Sequence, residues 1–557
     1  VSPVDRHWDV VVVGSGLGGL TAAAYLAAAG RRVLVLEQYD VAGGNSHAFR
    51  RRGRYLFDAG VHYLGDCGED GILPAVLAGL GAKDRVPLRM LDPDCFDRVI
   101  TPSGTLDVPA DWELYRERLR RMLPADADGI DRFLDVVRAV GEAKRAVLVA
   151  GSAAADPAGS EAVRLWGNRT LSALFDTCGL SPAARTALAA QSPNYGIEPA
   201  TATVGMHAVV TDHYIRGAYF PLGGGQMLAA TLLEVLRANG GEFRTEARVD
   251  RIDVTDGRAT GVRLADGESI TADIVVSNAD YRRTMLDLVG AEHLPGPIAR
   301  FTREARMGLP FATVYVALKD DLADRHEANV WWYGSDDIER YYGRLLAGEQ
   351  PEQVEFLFVS MGSRKDGHLA PSGESCIELM TLCPLDPTVW GVEEGPTDAG
   401  TDYRRSPRYL AEKQRFTDAV VDAGERVLGP LRDRATHIEL GTPLTQERYT
   451  LSTGGTPFGV ATWGRAGARP DTATSVRGLW VVGQSTRYGS GITGVMCSGV
   501  AAAGQVLDRP LMHEVYAGEV VGDPSLLPHR PDGWDPLAYS TLRARRRATT
   551  RTPAPAG

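Results

Sequence analysis

Three glycines at G-x-G-x-x-G spacing, Gly14, Gly16 and Gly19, directly follow the valine run Val10–Val13, and the next apolar run ends on a carboxylate, Glu37. That combination suits the holding of a dinucleotide. Gly14 permits a tight turn, Gly16 lets backbone approach a pyrophosphate with no Cβ in the way, and Gly19 lets a following helix pack closely on the strand. Ser15 and Gly18 complete the turn. Glu37, followed by Gln38, stands at the chain distance expected of a group that accepts hydrogen bonds from a ribose diol, and an acid there disfavours a 2′-phosphate.

For these residues to meet, particular elements must form. Val10–Val13 reads as a strand buried on both faces of a parallel sheet. Leu17–Ala29, rich in alanine and leucine, reads as a helix whose first amides and dipole face the phosphates, with Gly30 placed to end it. Arg32–Leu36 reads as the next strand. Beyond Glu37 come a second glycine pair, Gly43 and Gly44, then Asn45 and the arginines Arg50–Arg52 and Arg54. Guanidinium groups can fork onto phosphate oxygens, and the alternative is a solvated, charged turn.

A second candidate half-site lies near the other end of the sequence. Gly478–Val482 reads as a short strand, ended by Gly483 and Gln484. A glycine-rich loop through Gly491 and Ile492 then leads to a helix beginning near Thr493. Amides at the start of that helix suit the N1 and C2 carbonyl region of a flavin, where charge gathers on reduction. A buried small-residue helix packed on the sheet is the competing explanation.

Between the two, residues Gly71–Arg216 read as mainly helical, with amphipathic stretches Trp112–Leu123 and Ile130–Leu148 and a small-residue loop Gly151–Gly159. Alternating apolar residues with Asp-Gly turns over 242–280 predict a β-meander that returns to the first sheet and leaves Val249 near an adenine. YVAL, VWWY, EFLFVSM and CIELMTL are candidate strands of a further sheet, and Tyr409–Leu428 reads as an amphipathic helix. The fold class that follows is α/β, a two-dinucleotide-binding-domain flavoprotein with a mixed α+β substrate domain. Its expected parts are a discontinuous, Rossmann-like FAD-binding domain (1–90, 223–299 and 440–510), a substrate-binding domain (91–222 and 300–439) and a C-terminal extension (511–557).

The 557 residues carry a formal net charge of −11 and 44% hydrophobic residues, which suits a globular protein and argues against a nucleic-acid partner. Six scattered cysteines with no C-x-x-C pair suggest neither a disulfide framework nor a metal site, and fit a reducing, cytoplasmic location. No secretory signal or membrane span is read, so membrane contact, on the inner face, would be peripheral. The last residues, Ser540–Gly557, rich in arginine and proline, read as a disordered tail whose Arg543, Arg545–Arg547 and Arg551 could meet anionic lipid. A solvated tail with no partner is the alternative. Oligomeric state is not legible.

The fingerprint at Gly14, Gly16, Gly19 and Glu37, the Gly43–Gly44 pair, the phrase FDAGVHYLG at 57–65, the AYFPLGGG segment and the closing GLWVVGQSTRYGSGITGVMCSG resemble the family of FAD-dependent phytoene desaturases, carotenoid cis-trans isomerases and retinol saturases, through Leu507. FDAGVHYLG and Gly483-Gln484 look nearer to the retinol saturase branch. Many members carry aspartate where Gln484 stands, so redox tuning would differ here.

The resemblance implies FAD as cofactor and a flavin-mediated hydride or electron transfer at a double bond of an apolar conjugated polyene or isoprenoid substrate. Desaturation, saturation and isomerisation all remain open. It places His62 and Tyr63 near the flavin, for proton delivery or substrate alignment, with a backbone-bonded structural histidine as the other reading of His62. Tyr219 and Phe220 either line the channel or are ordinary aromatic core. Arg487 and Tyr488 either flank the flavin or cap their loop, and Cys497 reads as a free buried thiol. Two other functions fit the same frame: an amine or amino-acid oxidase, and a cofactor-free prenyl-binding module, against which the intact glycines and Glu37 speak.

Overall fold

The computed structural model describes residues 7–151, 157–396, 400, 402–462 and 469–541. The valine run sits at the centre of a seven-stranded sheet. Trp8–Val13 pairs in parallel with Val33–Leu36 on one side and Ser269–Ser277 on the other. Glu242–Arg244 extends the sheet beyond Val33–Leu36, and Leu479–Val481 pairs in parallel with Ser269–Ser277. Val10–Val12 and Val33–Val35 are fully buried, as continuous β-branched runs require when helices cover both faces. Val249–Thr255, Arg258–Leu264 and Ser269–Ser277 form the meander, so strands far apart in sequence meet in one α/β sheet.

Three helices cover one face. Leu17–Ala28 packs against Gly225–Ala238 and against Ile492–Leu507. The last contact is very close. A Cβ on Gly499 would stand 2.5 Å from the carbonyl oxygen of Gly18 and 2.8 Å from Thr21 Cβ, so only glycine allows the crossing.

A second seven-stranded sheet runs, in order, Ala435–Gly441, Phe311–Leu318, Ser375–Leu382, Phe356–Ser360, Asn329–Tyr333, Asp97–Thr101 and Gly104–Val108. The segment 71–216 is mainly helical, as expected, but it also supplies the last two strands of this sheet. Asp97–Val108 is a hairpin whose first strand joins Asn329–Tyr333 in parallel. The strand Ala435–Gly441 also escaped notice, because it carries the polar residues Thr436, His437 and Glu439 on a half-buried sheet edge. Helices Ala127–Ala150, Leu171–Cys178 and Val204–Ile215 pack together beside this sheet.

The segment after Leu507 does not trail away at once. Leu511–Tyr516 packs on Ile72–Gly79 and on Ala127–Ala150, Arg530 clamps the buried Glu234 carboxylate at 2.7 Å, and Thr541 bridges to Val41. The arginines from Arg543 onward lie outside the described residues, as do 152–156 of the small-residue loop. All six cysteines are buried and unpaired, and among the described residues no group of side chains could hold a metal and no helix is long and apolar enough to cross a membrane.

Candidate active site: a dinucleotide cleft joined to an aromatic chamber

One cavity of about 1060 Å³ runs between the two sheets. Its first walls are the turns at the carboxyl ends of the parallel strands, where ligands of open α/β sheets bind. Gly14 has φ +91°, a left-handed conformation that glycine alone adopts without strain. Gly43, with φ +126°, donates from its amide to the Ser15 carbonyl at 3.0 Å, which docks the second glycine pair onto the first turn.

Glu37 is buried and fixed at the cavity edge. Oε2 accepts from the Ser15 amide (2.8 Å) and hydroxyl (2.6 Å), and Oε1 accepts from the Tyr39 amide at 2.9 Å. Oε2 is thereby filled, and Oε1 keeps a lone pair for a ribose hydroxyl. Gln38 is turned aside, donating to the Tyr449 carbonyl, and Asn45 accepts from Gln446.

The distant glycine segment meets the first one through a residue that the sequence reading passed over. Asn278, at the end of Ser269–Ser277, accepts from the Gly19 amide at 2.7 Å. Its side chain fills the space where Cβ atoms on Gly16, Gly18 or Gly483 would lie. The signal available was its place, the first residue after a parallel strand. Asp280 and Arg283 also line the cavity, as does Arg469, half-buried and holding the carbonyls of Gln484 and Phe458. Burial lowers Arg469 to about 10, which leaves it cationic at neutral pH.

A flavin dinucleotide fits these walls. Neither Leu17–Ala28 nor Ile492–Leu507 carries a side-chain cap at its N-terminus, so each presents first-turn amides to an anion or carbonyl. The Thr493 hydroxyl is buried without a partner, and a Cβ on Gly489 or Gly491 would meet nothing within 4 Å. Gly14, Ser15, Gly16, Gly18, Gly43, Gly44, Val249, Gly483, Gln484, Gly491, Ile492 and Thr493 all line the cavity, together with Glu37, Gln38 and Asn45. Gly19 does not. A Cβ there would stand 2.5 Å from the Gly14 carbonyl oxygen, so its task is close helix-strand packing. The arginine run is largely committed to carboxylates: Arg50 to Asp535, Arg51 to Glu439 and Arg54 to Glu374.

The remaining walls are apolar and aromatic, among them Tyr63, Tyr195, Tyr214, Phe311, Trp331 and Phe358. Tyr63 stacks on Tyr214 with centroids 4.3 Å apart, and its hydroxyl donates to Asp97 at 2.9 Å while accepting from Asn194. Burial and Asp97 push that phenol well above its usual range, so it stays neutral.

His62 lines the chamber, but its ring bonds to no backbone group. Both nitrogens are closed to solvent and unpartnered. Arg487 and Tyr488 sit at the cavity edge, the guanidinium lying over the phenol ring. Tyr219 and Phe220 do not line the cavity. Their strand, Ala218–Pro221, pairs with Leu64–Gly65 and Leu88–Met90 and sends the two rings to opposite faces, Phe220 into the core that holds Trp331 and Tyr219, half-buried, against the core of the cofactor sheet.

The paired sheets, the converging glycine turns and the cavity between them define a two-dinucleotide-binding-domain flavoprotein with FAD as cofactor. The chain belongs to the family of flavin-containing amine oxidoreductases, whose match spans residues 17–342. It is similar to all-trans-retinol 13,14-reductase of Rattus norvegicus, 28% identical over 93% of this chain and 88% of the relative. It is also similar to the chloroplastic prolycopene isomerase of Daucus carota, 26% identical over 90% of this chain and 80% of that one. A solved structure of putrescine oxidase with a redesigned cofactor site shares the fold, with a TM-score of 0.59 and 14% identity over 90% of this chain and 99% of that one.

Proposed function

We propose that this protein is an FAD-dependent oxidoreductase acting on carbon-carbon double bonds of an apolar conjugated polyene or isoprenoid. The observation that carries this reading is the continuity of the nucleotide cleft with a chamber walled by aromatic and aliphatic side chains. Bound FAD supplies hydride or electron exchange with a conjugated carbon. The protein positions and dries the substrate: Trp331, Phe358, Tyr214 and Phe311 offer flat apolar surfaces that suit a planar polyene. The names of the reductase and isomerase relatives support the same substrate class.

An amine oxidase is the second reading, favoured by the family and by the putrescine oxidase fold. An amine substrate calls for a polar or caged site, in which a carboxylate would hold the protonated form. The carboxylates that line the cavity, Glu37, Asp250, Asp280, Asp287 and Glu439, belong instead to the nucleotide turns or pair with arginine.

Anaerobic incubation with candidate polyenes, flavin oxidised and then reduced, separates the outcomes by product mass. Unchanged mass with altered geometry means isomerisation, two added hydrogens mean saturation, and two lost with oxidised flavin mean desaturation. Amine turnover with peroxide release and no polyene conversion would reject the proposal.

The route in from solvent has its own signature. Leu148 and Val209 line the cavity, and the neighbouring Val147, Leu165 and Val209 are 42%, 40% and 45% exposed. This apolar rim suits contact with a bilayer that stores the substrate. Val147→Glu with Val209→Glu is expected to cut co-sedimentation with phosphatidylglycerol vesicles severalfold while FAD content stays unchanged; equal co-sedimentation rejects the rim as the contact.

A further inference from the structure

Behind the His62 wall lies a buried ionic cluster that the cofactor frame does not use. Glu378, on Ser375–Leu382, and Asp58, on Tyr55–Asp58, are both buried, and the charge of Lys365 acts on each of them through space. Lys365 Nζ donates to the His62 carbonyl at 2.9 Å, to Ser360 Oγ at 3.1 Å and to Asn329 Oδ1. Asp58 accepts from the Gly225 amide at 2.7 Å. Asp97 and Glu327 also act on Lys365 from neighbouring elements, and Asp366 acts on Asp58.

Two carboxyl groups facing one ammonium in a site closed to water cannot both ionise at low cost. Burial, reinforced by Asp58, holds Glu378 up at about 8, and burial holds Asp58 up at about 7. The cluster therefore stores a proton at neutral pH.

His62 stands between this store and the chamber. It lines the cavity, its Nδ1 lies 3.9 Å from Glu378 Oε2, and neither ring nitrogen has a partner. A buried polar group without a partner is costly to keep and calls for an explanation. Burial and the Lys365 charge hold the ring down at about 3, so it is neutral, with one donor and one acceptor nitrogen. Such a ring can take a proton on one side as it releases one on the other. The separation from Glu378 is a small side-chain adjustment away from a hydrogen bond. Gly60, two residues before His62, packs so closely on Asn45 that a Cβ would stand 2.8 Å from the Asn45 carbonyl, which ties this phrase to the second glycine turn.

Resting on the reading of double-bond reduction, we propose that Glu378 and His62 form the proton route to the substrate. The Glu378 O–H bond breaks as its proton moves to His62 Nδ1, and, once the ring turns to bring Nε2 to the chamber, the Nε2–H proton moves to the alkene carbon next to the one that accepts hydride. Both electrons arrive with the hydride, for which reduced flavin is the donor. Hydride and proton together saturate the bond. Glu378 is left as a carboxylate beside Lys365 and regains a proton from solvent after product leaves.

Two measurements test this. In the full chain with oxidised FAD and 15N-labelled histidine, the neutral His62 ring is expected to carry its proton on Nε2 at pH 6 and on Nδ1 once Glu378 ionises, near pH 8; Glu378→Gln should hold it on Nε2 throughout. A tautomer that ignores pH in the wild type overturns the proposal. In the second, the reduced enzyme is given a polyene in D2O. Wild type should place deuterium at both carbons of the saturated bond, because the reduced flavin's N5–H also exchanges with solvent, and should slow as pH passes 8. Glu378→Gln and His62→Gln should each slow saturation on the order of a hundredfold with FAD content unchanged. Full rates in both variants overturn the proton route alone, whereas a wild type that converts no polyene overturns the functional reading. The histidine signal then still decides the pair.

Discussion

Gly18→Val is expected to yield a colourless protein whose affinity for FAD has fallen by about a hundredfold or more, a loss of about 3 kcal/mol. A Cβ at this position would stand 2.7 Å from Asn278 Oδ1 and 3.0 Å from both the Gly483 amide nitrogen and the Val495 carbonyl oxygen. The last two are backbone atoms and cannot rotate out of the way, so the valine must drive the opening helix and the closing segment apart. Asn278 would be displaced with them, and its bond to the Gly19 amide lost. The measurement is flavin absorbance after gel filtration, followed by FAD titration. Gly343→Ala, on an exposed helix face where a Cβ meets nothing within 4 Å, should leave the protein yellow. A valine variant that kept wild-type affinity would show that the two segments do not clasp one cofactor.

That meeting of chain ends was legible because each half announces itself locally. Val10–Val13 and Gly14 fix strand and turn by β-branching and positive φ, and Gly483, with φ +101°, repeats the device after Leu479–Val481. Asn278 was not legible. Its importance comes from filling the gap between glycines hundreds of residues away, and nothing in its own neighbourhood marks that. The hairpin Asp97–Val108 was hidden for a similar reason: its strands are short, and it is the pairing with Asn329–Tyr333 that stabilises them. Tyr219 shows the opposite limit. An aromatic residue before a glycine turn fits a channel wall and a packed core alike until its strand pairing with Leu64 and Met90 is known. Sequence spacing thus identifies groups that act through backbone geometry, and it misses groups that act by reaching across the fold.

The buried cluster around Lys365 is the sharpest case of such reach, and Lys365→Met is expected to destabilise the protein by about 3–5 kcal/mol, the cost of stripping a buried charge network of its counter-ion. Lys365 is 1% exposed, and the substitution would leave Asn329 Oδ1 and Ser360 without the donor they share. Asn329 in turn donates to Asp97 at 2.9 Å, and Asp97 accepts from Tyr63, so the loss would loosen the chamber wall as well as the cluster.

The sign of the pH dependence follows from the carboxyls. Glu378 and Asp58 are raised above their unfolded values, so the native state binds more protons than the unfolded state up to about 8 and about 7, and stability falls as pH rises through those windows. Without the cation both carboxyls should hold their protons to still higher pH, which extends the fall. The wild-type lysine, lowered to about 8 from its unfolded value, adds stability as pH rises above that point, and methionine forfeits this gain. The deficit of Lys365→Met should therefore be larger at pH 9 than at pH 6. Urea unfolding followed by tryptophan fluorescence, with Trp331 buried in the same sheet, checks this at both values. A deficit equal at the two pH values would mean that the carboxyls do not depend on the ammonium. Adding Glu378→Gln to Lys365→Met should restore most of the loss at pH 9, because the neutral amide no longer needs a counter-charge.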